Sequence, residues 1–308
     1  MKKYWLGIDA GGSRSTIIAV DEQNELINKV TGPSIHAGRL KPSESAKRVA
    51  RLVAEILSDL DQASPVGLGV GLAGAGRSSI QKQVTNELER QLPSIPLIVA
   101  SDAETSYFAT FKDEPGILII CGTGSIAMGK DGEGWKRSGG YGYQIGDPGS
   151  GYQLGQKLLF HACEHYSLHD QFPLPLALED RELKTLEQLL DFLYVEKQSP
   201  AKFAPHFLQS VKDGNKELES ILDRELELLT LQVKTLTQKI VNFSGKISMS
   251  GGIASDEMFR EKLKSHLRNV IPEIKWAEWV KEPAYGSCYL IQEHLHHSSD
   301  NRNLNNTS

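Results

Sequence analysis

Apolar positions along this chain switch repeatedly between strand-like and helical spacing, and the switches outline its elements. Residues 4–9 form a short apolar run that reads as a strand, Gly11, Gly12 and Ser13 as a turn, and residues 15–20 as a second, β-branched strand. A turn over 21–24 and a third run over 25–31 complete an antiparallel meander. The period then lengthens. Val49, Leu52, Val53, Ile56 and Leu57 fall at helical spacing in a helix of about 17 residues, with Ser43 as its expected cap and Glu44 in its first turn. Residues 66–70 read as a strand, 78–91 as a helix, 96–100 as a strand and 103–111 as a helix. A meander followed by strands that helices cross over predicts a mixed sheet covered by helices.

The pattern restarts at Gly116. Residues 116–121 read as a strand, Gly122-Thr123-Gly124-Ser125 as a turn, 126–129 as a strand, 131–134 as a tight turn, and Trp135 opens a third strand. Residues 4–20 and 117–129 thus share one plan, an apolar strand, a turn of glycine and hydroxyl residues, and another apolar strand, which predicts two similar lobes. The segment 132–155 is glycine-rich, and a helical pattern then runs to about residue 243. Within it Leu218, Ile221, Leu222, Leu226, Leu229, Val233 and Leu236 share one stripe, suited to lobe packing or a subunit contact. A strand over 246–249, a Gly-Gly turn, a helix over 256–270 and a last helix starting at Pro283 follow. The expected division is a first lobe of 1–112 joined by the final helix 283–296, a second lobe of 113–282 with the helical insertion, and a polar, disordered tail of 297–308.

Composition narrows the function classes. A length of 308 residues suits two domains. A net charge of −5 gives no electrostatic reason to expect nucleic acid. The longest apolar runs are strand-sized, far short of the roughly 20 residues of a membrane span, and Met-Lys-Lys leading into a strand predicts no signal peptide. Cys121, Cys163 and Cys288 are scattered, which argues against a disulfide framework and a cysteine metal site. These features predict a cytoplasmic protein, and a homodimer is the expected assembly.

Three turns carry the candidate chemistry. Ile8-Asp9-Ala10-Gly11-Gly12-Ser13-Arg14-Ser15 puts a carboxylate at a strand end before glycines and hydroxyls, a sequence able to cradle phosphate through amides while Asp9 holds a Mg²⁺ water. It lacks the G-K-S/T of a Walker A loop, leads to a strand and not a helix, and reads equally as a plain hairpin. Cys121-Gly122-Thr123-Gly124-Ser125 offers the same resources without a carboxylate, and Ser250-Gly251-Gly252-Ile253 allows close backbone approach near a helix N-terminus. Asp102, at a strand end, reads both as a catalytic carboxylate and as an N-cap.

In this order the three turns resemble the phosphate-1, phosphate-2 and adenosine motifs of the actin/hexokinase/Hsp70 ATPase fold. Gly146-Asp147-Pro148-Gly149-Ser150-Gly151-Tyr152, Ser101-Asp102-Ala103 and Pro283-Ala284-Tyr285-Gly286-Ser287 resemble segments of eukaryotic-type N-acetylglucosamine kinases, within the BadF/BadG/BcrA/BcrD-type ATPase family. The resemblance covers residues 4–290 and implies an α/β protein of two actin-like (ribonuclease H-like) lobes, with a nucleotide cleft between them and a helical insertion in the second. It implies an ATP-dependent kinase acting with Mg²⁺ on a small-molecule sugar, N-acetylglucosamine first, then glucosamine or N-acetylmuramic acid.

On the same ground Asp102 would be the general base and Asp9 the metal ligand through water. Gly11, Gly12, Ser13, Arg14, Gly122, Thr123, Gly124, Ser125, Gly251 and Gly252 would bind nucleotide, and His36, Asp102, Tyr141, Gly142 and Asp147 the sugar. The chain departs from the family's pattern on the acceptor side, with His36 where Asn is usual, Tyr141 for Trp and Pro148 for Glu. Two rivals share the fold. Iron–sulfur activators need clustered cysteines, against which the three scattered ones argue. A strand beginning at Tyr4 predicts no DNA-binding domain of a repressor before it, which leaves a non-catalytic sugar sensor as the other alternative.

Overall fold

The computed structural model describes residues 3–11, 14–60, 64–112, 114–178, 180–271, 273–278 and 282–305, with side chains to 296. The chain divides into two compact units, Met1–Asp113 with Trp279–Ser308, and Glu114–Glu278. The first unit opens with the expected meander, β1 (Trp5–Ala10), β2 (Arg14–Val20) and β3 (Leu26–Pro33). β4 (Gly67–Leu72) and β5 (Leu97–Ser101) add parallel to β1, giving the order β3-β2-β1-β4-β5. α1 (Pro42–Ser58) lays Val49, Leu52, Val53 and Ile56 into the core with β1 and β4, each buried leucine worth roughly 2 kcal/mol. Ser43 does not cap α1: the N-cap position is Lys41, with no side-chain cap. Pro42 takes the first helical position instead, where its fixed φ and missing N–H suit the start of a helix. α2 (Ser78–Gln91) links β4 to β5, and α3 (Asp102–Phe111) follows β5.

The second unit repeats the plan. β6 (Gly116–Cys121), β7 (Ser125–Asp131) and β8 (Gly134–Gly139) form its meander. α4 (Gly151–His169) begins the insertion, which is less continuous than its sequence pattern predicts. Asp170 ends α4 with a left-handed φ of 53°, and Pro173 and Pro175 then force an extended passage into the small ribbon of β9 (Leu176–Ala177) and β10 (Glu182–Leu183). After α5 (Leu186–Leu190) come a π-helical turn, Asp191–Val195, and a 3₁₀ turn, Pro200–Phe203. α6 (Ala204–Lys212) and α7 (Lys216–Thr237) complete the insertion. Leu218, Leu222, Leu226, Leu229, Val233 and Leu236 of α7 are all fully buried in this unit's core, so the stripe serves lobe packing. β11 (Lys246–Ser250), α8 (Glu257–Val270) and β12 (Lys275–Trp276) close a second five-stranded sheet, β12-β11-β6-β7-β8, whose strand order matches the first.

α9 (Ala284–Asn305) belongs to the first unit and lies against β1, β4 and α3 with almost nothing between the backbones. A Cβ at Gly7 or Gly69 would land on the α9 carbonyls of Ala284 or Ser287. One at Gly286 would land on Thr105 O, with Ala109 N at 2.6 Å. Ser287 Oγ uses this proximity to donate to the carbonyl of Ile8 at 2.7 Å. The backbone is helical to Asn305. A helix already fixed by packing at its base extends at one backbone hydrogen bond per added residue, even through a polar segment. No helix among the described residues is long and apolar enough to cross a membrane.

The contact sets two effects against each other at Gly286. Alanine there gains about 1 kcal/mol of helix propensity, but its methyl strikes backbone that cannot rotate away, at about 1–3 kcal/mol or more. Gly286→Ala is therefore expected to destabilise the protein in urea unfolding. An increase in stability would mean that α9 can be displaced without loss.

Candidate functional site

Three strands of the first unit, β1, β4 and β5, run parallel, so their C-terminal ends share one edge of the sheet, where open α/β sheets collect ligands. β1 brings Asp9 to that edge and β5 brings Asp102, the first residue of α3. The cap of α3 is Ser101: its Oγ accepts the Glu104 N–H at 3.2 Å, while Glu104 Oε2 accepts the Ser101 N–H at 2.7 Å. Asp102 is thereby relieved of the capping role, although its Oδ1 still accepts the Ala103 N–H at 3.0 Å. Gln81 of α2 donates to Glu104 at 3.2 Å and steadies the box.

These carboxyls have little to balance them. Burial pushes Asp9 up to about 7, the charges of Asp102 and Glu282 add to the rise, and Arg14 opposes it. Burial also raises Asp102, against the Ala103 N–H and the His36 ring. His36 follows β3 and bridges to Ala73 beyond β4. Its Nδ1 accepts the Gly38 N–H at 3.0 Å, which puts the ring hydrogen of the neutral form on Nε2. Burial first, then Arg39, lower its pKa, while Asp102 opposes them. The Gly11 carbonyl accepts the Ile35 N–H at 3.2 Å and Ser34 Oγ at 3.3 Å, tying the first hairpin to the loop that carries His36. Gly12 and Ser13 lie outside the described residues.

Among the described residues no group of three His, Cys, Asp or Glu side chains could hold a metal ion directly. Two buried carboxyls, one of which raises the proton affinity of the other, instead suit a hydrated dication. Mg²⁺ keeps several of its waters and needs one or two carboxylates, so the pair fits it through water.

In the second unit the backbone around Cys121 ties three segments together. The Cys121 carbonyl accepts the N–H groups of Ile253 at 2.9 Å and Ala254 at 3.2 Å. Gly122 O accepts the Gly151 N–H at 2.7 Å, and Thr123 O accepts that of Tyr152 at 3.0 Å. Gly251, at φ 99°, lies so close that a Cβ would strike Cys121 O. At Gly122 and Gly252 a Cβ would meet open space, so backbone there is open to a ligand, a fit for phosphate and nucleoside groups. Ser125 Oγ is already committed, donating to Pro148 O at 2.7 Å.

Asp147 is buried, and its carboxylate turns toward its own unit's backbone. Oδ1 accepts the Gly142 N–H at 3.2 Å, and the backbone of Gly142, Ser125 and Tyr141 favours the charged form. Burial outweighs these bonds and raises its pKa. The structure thus groups Asp9, Gly11, Arg14, His36 and Asp102 in the first unit, and Gly122, Thr123, Gly124, Ser125, Tyr141, Gly142, Asp147, Gly251 and Gly252 in the second. Three acidic residues were not among the expected ones. Glu104 could have been found from the Ser-x-x-Glu spacing of its capping box. Glu282, which raises Asp9, and Glu225, which accepts the Gly149 N–H at 2.9 Å, act across long stretches of sequence and leave no local signal.

The raised carboxyl makes a sign prediction. Between 3.8 and about 7 the folded protein keeps a proton on Asp9 that the unfolded chain has released, so stability falls as pH rises through that window. The slope is up to about 1.4 kcal/mol per pH unit. Asp9→Asn should flatten this loss in denaturation curves recorded without divalent cations. An unchanged slope would place the buried charge elsewhere.

Comparison with known proteins follows the same lines. A model of the BadF/BadG/BcrA/BcrD ATPase family matches residues 6–286. An N-acetylmuramic acid/N-acetylglucosamine kinase of Clostridium acetobutylicum is 29% identical over 304 residues, covering 94% of this chain and 98% of that protein. An N-acetyl-D-glucosamine kinase of Dictyostelium discoideum is 32% identical over 222 residues, 66% of this chain and 68% of that one. A solved Porphyromonas gingivalis protein, described as a candidate N-acetylglucosamine kinase, superposes with a TM-score of 0.69 at 18% identity, over 94% of this chain and 99% of that one. This last likeness concerns the fold alone.

Proposed function

The chain belongs to the BadF/BadG/BcrA/BcrD ATPase family, and on that premise we propose that it transfers the γ-phosphoryl group of ATP to the 6-hydroxyl of N-acetylglucosamine. It is an ATP-dependent sugar kinase of the N-acetylglucosamine/N-acetylmuramic acid type. The observation that carries the phosphoryl-transfer reading is the pair of buried carboxyls, Asp9 and Asp102, at one sheet edge. Phosphoryl transfer demands little covalent chemistry from a protein beyond positioning, charge neutralisation and a base.

In this reading the 6-hydroxyl oxygen attacks the γ-phosphorus in line, the bond to the β–γ bridging oxygen breaks, and ADP leaves. The hydroxyl proton passes to Asp102, whose raised pKa brings it toward the operating pH of a general base. Asp9 would hold Mg²⁺ through water, and the ion would neutralise the triphosphate. Gly11, Gly12, Ser13, Arg14, Gly122, Thr123, Gly124 and Ser125 would line the phosphates, and Gly251 and Gly252 the adenosine. His36, with Nε2–H available, would donate to a sugar hydroxyl, and Tyr141 and Gly142 would also face the sugar. Asp147 would hold Gly142 in place and offer its remaining lone pairs.

N-acetylmuramic acid is the second reading, favoured by the Clostridium relative, whose name carries both sugars. The geometry of the thiols disfavours an iron–sulfur activator: Cys121 and Cys288 are fully buried, and burial followed by the Asp147 charge pushes the Cys121 thiol up to about 12.

Two substitutions separate the roles. Asp102→Asn should fold and bind ATP while kcat falls about 10²-fold or more, the scale of a lost general base. Near-normal turnover in the folded variant would remove Asp102 from the chemistry. Asp9→Ala should depress activity on every acceptor alike, because it acts on the nucleotide end. A loss confined to one sugar would move Asp9 to the acceptor end.

A further inference from the structure

The loop between β8 and α4 holds aromatic side chains out in solvent on an unusually constrained backbone. Asp147 adopts a left-handed φ of 63°, and Gly139, Gly140, Gly142 and Gly149 are left-handed around it. Non-glycine residues occupy that region only where their surroundings enforce it. Here the enforcement is visible: the Asp147 carboxylate accepts the Gly142 N–H at 3.2 Å, and Gln153 Nε2 of α4 donates to the carbonyls of Tyr143 at 3.2 Å and Gly146 at 3.0 Å. What this scaffold presents is Tyr141 at 57% exposure, Tyr143 at 50% and Ile145 at 80%.

Tyr143 does not stand alone. Its ring stacks on that of Tyr152 with centroids 4.3 Å apart and planes at 29°. Tyr194, 74% exposed and carried on the π-helical turn, acts electrostatically on the Tyr152 phenol from a third segment. π-Helical turns are rare and recur at functional sites. Phe192 of the same turn is buried in the core, which anchors the turn while Tyr194 faces out. Loop and helix start thus bring two stacked tyrosines to one surface, and the π turn holds Tyr194 within electrostatic reach of Tyr152. Tyr152 also donates its N–H to Thr123 O at 3.0 Å, so the surface adjoins the second hairpin directly. Rigid phenols with an apolar face and a wet hydroxyl suit polyhydroxylated ligands whose ring faces are lined by C–H groups. A single acetyl methyl is much smaller than the area that Tyr143, Tyr152 and Tyr194 offer.

We propose that Tyr143, Tyr152 and Tyr194 form a platform that stacks on the part of the acceptor beyond the reacting hexose, selecting N-acetylated sugars that carry a further substituent or a second ring. This rests on the reading of Tyr141 and Gly142 as facing the sugar. The three tyrosines are specificity-determining residues and take no part in proton or phosphoryl transfer.

The test compares wild type, Tyr143→Ala, Tyr194→Ala and Tyr143→Phe on N-acetylglucosamine, N-acetylmuramic acid and N,N′-diacetylchitobiose. The alanine variants should raise KM for at least one of the extended sugars about 10-fold or more, leaving kcat, the KM for ATP and the KM for N-acetylglucosamine within about 2–3-fold. Tyr143→Phe, which keeps the ring, should retain most of the affinity. Equal KM changes on all three sugars, or none, would overturn the platform. So would a wild-type enzyme that turns over N-acetylglucosamine and neither extended sugar, or alanine variants altered only in sedimentation, which would assign the surface to a second copy of the chain. Calorimetry without nucleotide separates the two readings: a wild-type protein that neither binds nor phosphorylates any of the three sugars overturns the proposed function, and the platform with it.

Discussion

Backbone meets backbone where α9 crosses β1 and β4, and the first unit is organised around that contact. Gly7 and Gly69 on the sheet and Gly286 on the helix leave no room for a Cβ, so helix and strands approach as closely as their main chains permit. Close approach is what lets Ser287 reach the Ile8 carbonyl at 2.7 Å, one residue before Asp9. The same helix packs against α3, whose first residue is Asp102. A segment from the far end of the chain therefore fixes the two strand ends that carry the carboxyls. This is a positional constraint on charge. Asp9 and Asp102 are held together although the charge of Asp102 raises the cost of ionising Asp9, and only a rigid surround can hold them so.

The second unit reaches a comparable arrangement without carboxyls at its hairpin. There the fixed point is the Cys121 carbonyl, which accepts from two successive amides of the 253–254 segment while Gly251 closes against it. The hairpin, the glycine turn and the start of α4 are joined mainly by main-chain bonds, so side-chain substitution at Thr123 would leave the frame standing. Two side chains are exceptions, the Ser125 hydroxyl on the Pro148 carbonyl and Asp147. Its carboxylate stands in for backbone acceptors that the left-handed loop cannot supply, and burial makes it expensive to replace.

What could be read from the sequence follows from this division. Strands, crossover helices and the repeated plan were legible because their apolar spacing is local, and β6 and α2 fall on the residues that spacing indicates. The three turns and Asp102 were legible because glycine, hydroxyl and carboxylate at a strand end form a short pattern. The capping of α3 by Ser101 and of α1 by neither Ser43 nor any other side chain was not, since candidate caps stood side by side and tertiary packing chose between them. The break in the insertion was written in Pro173 and Pro175, yet the surrounding helical period masked it. Glu282 and Glu225 act from far along the chain, and nothing near them in sequence marks their partners.

The same reasoning explains why the reaction can be argued more firmly than the acceptor. Phosphoryl transfer asks for particular chemical groups at strand ends, and residue types at those positions are directly visible in a sequence. In the proposed reading acceptor choice would depend on the shape of the 139–149 loop, which is set by left-handed glycines and by the Asp147 carboxylate on the Gly142 N–H. Those features determine which way Tyr141 and Tyr143 face, and side-chain identity alone does not encode a direction. His36, Tyr141 and Pro148, the departures from the family's usual pattern, all lie in or beside such loops. The Pro148 carbonyl takes the Ser125 hydroxyl, so the substitution alters what the loop presents while its contribution to the hairpin persists. A kinase of this kind can therefore keep its phosphate machinery fixed and change its sugar by re-aiming a few exposed rings, at no cost to the sheets beneath.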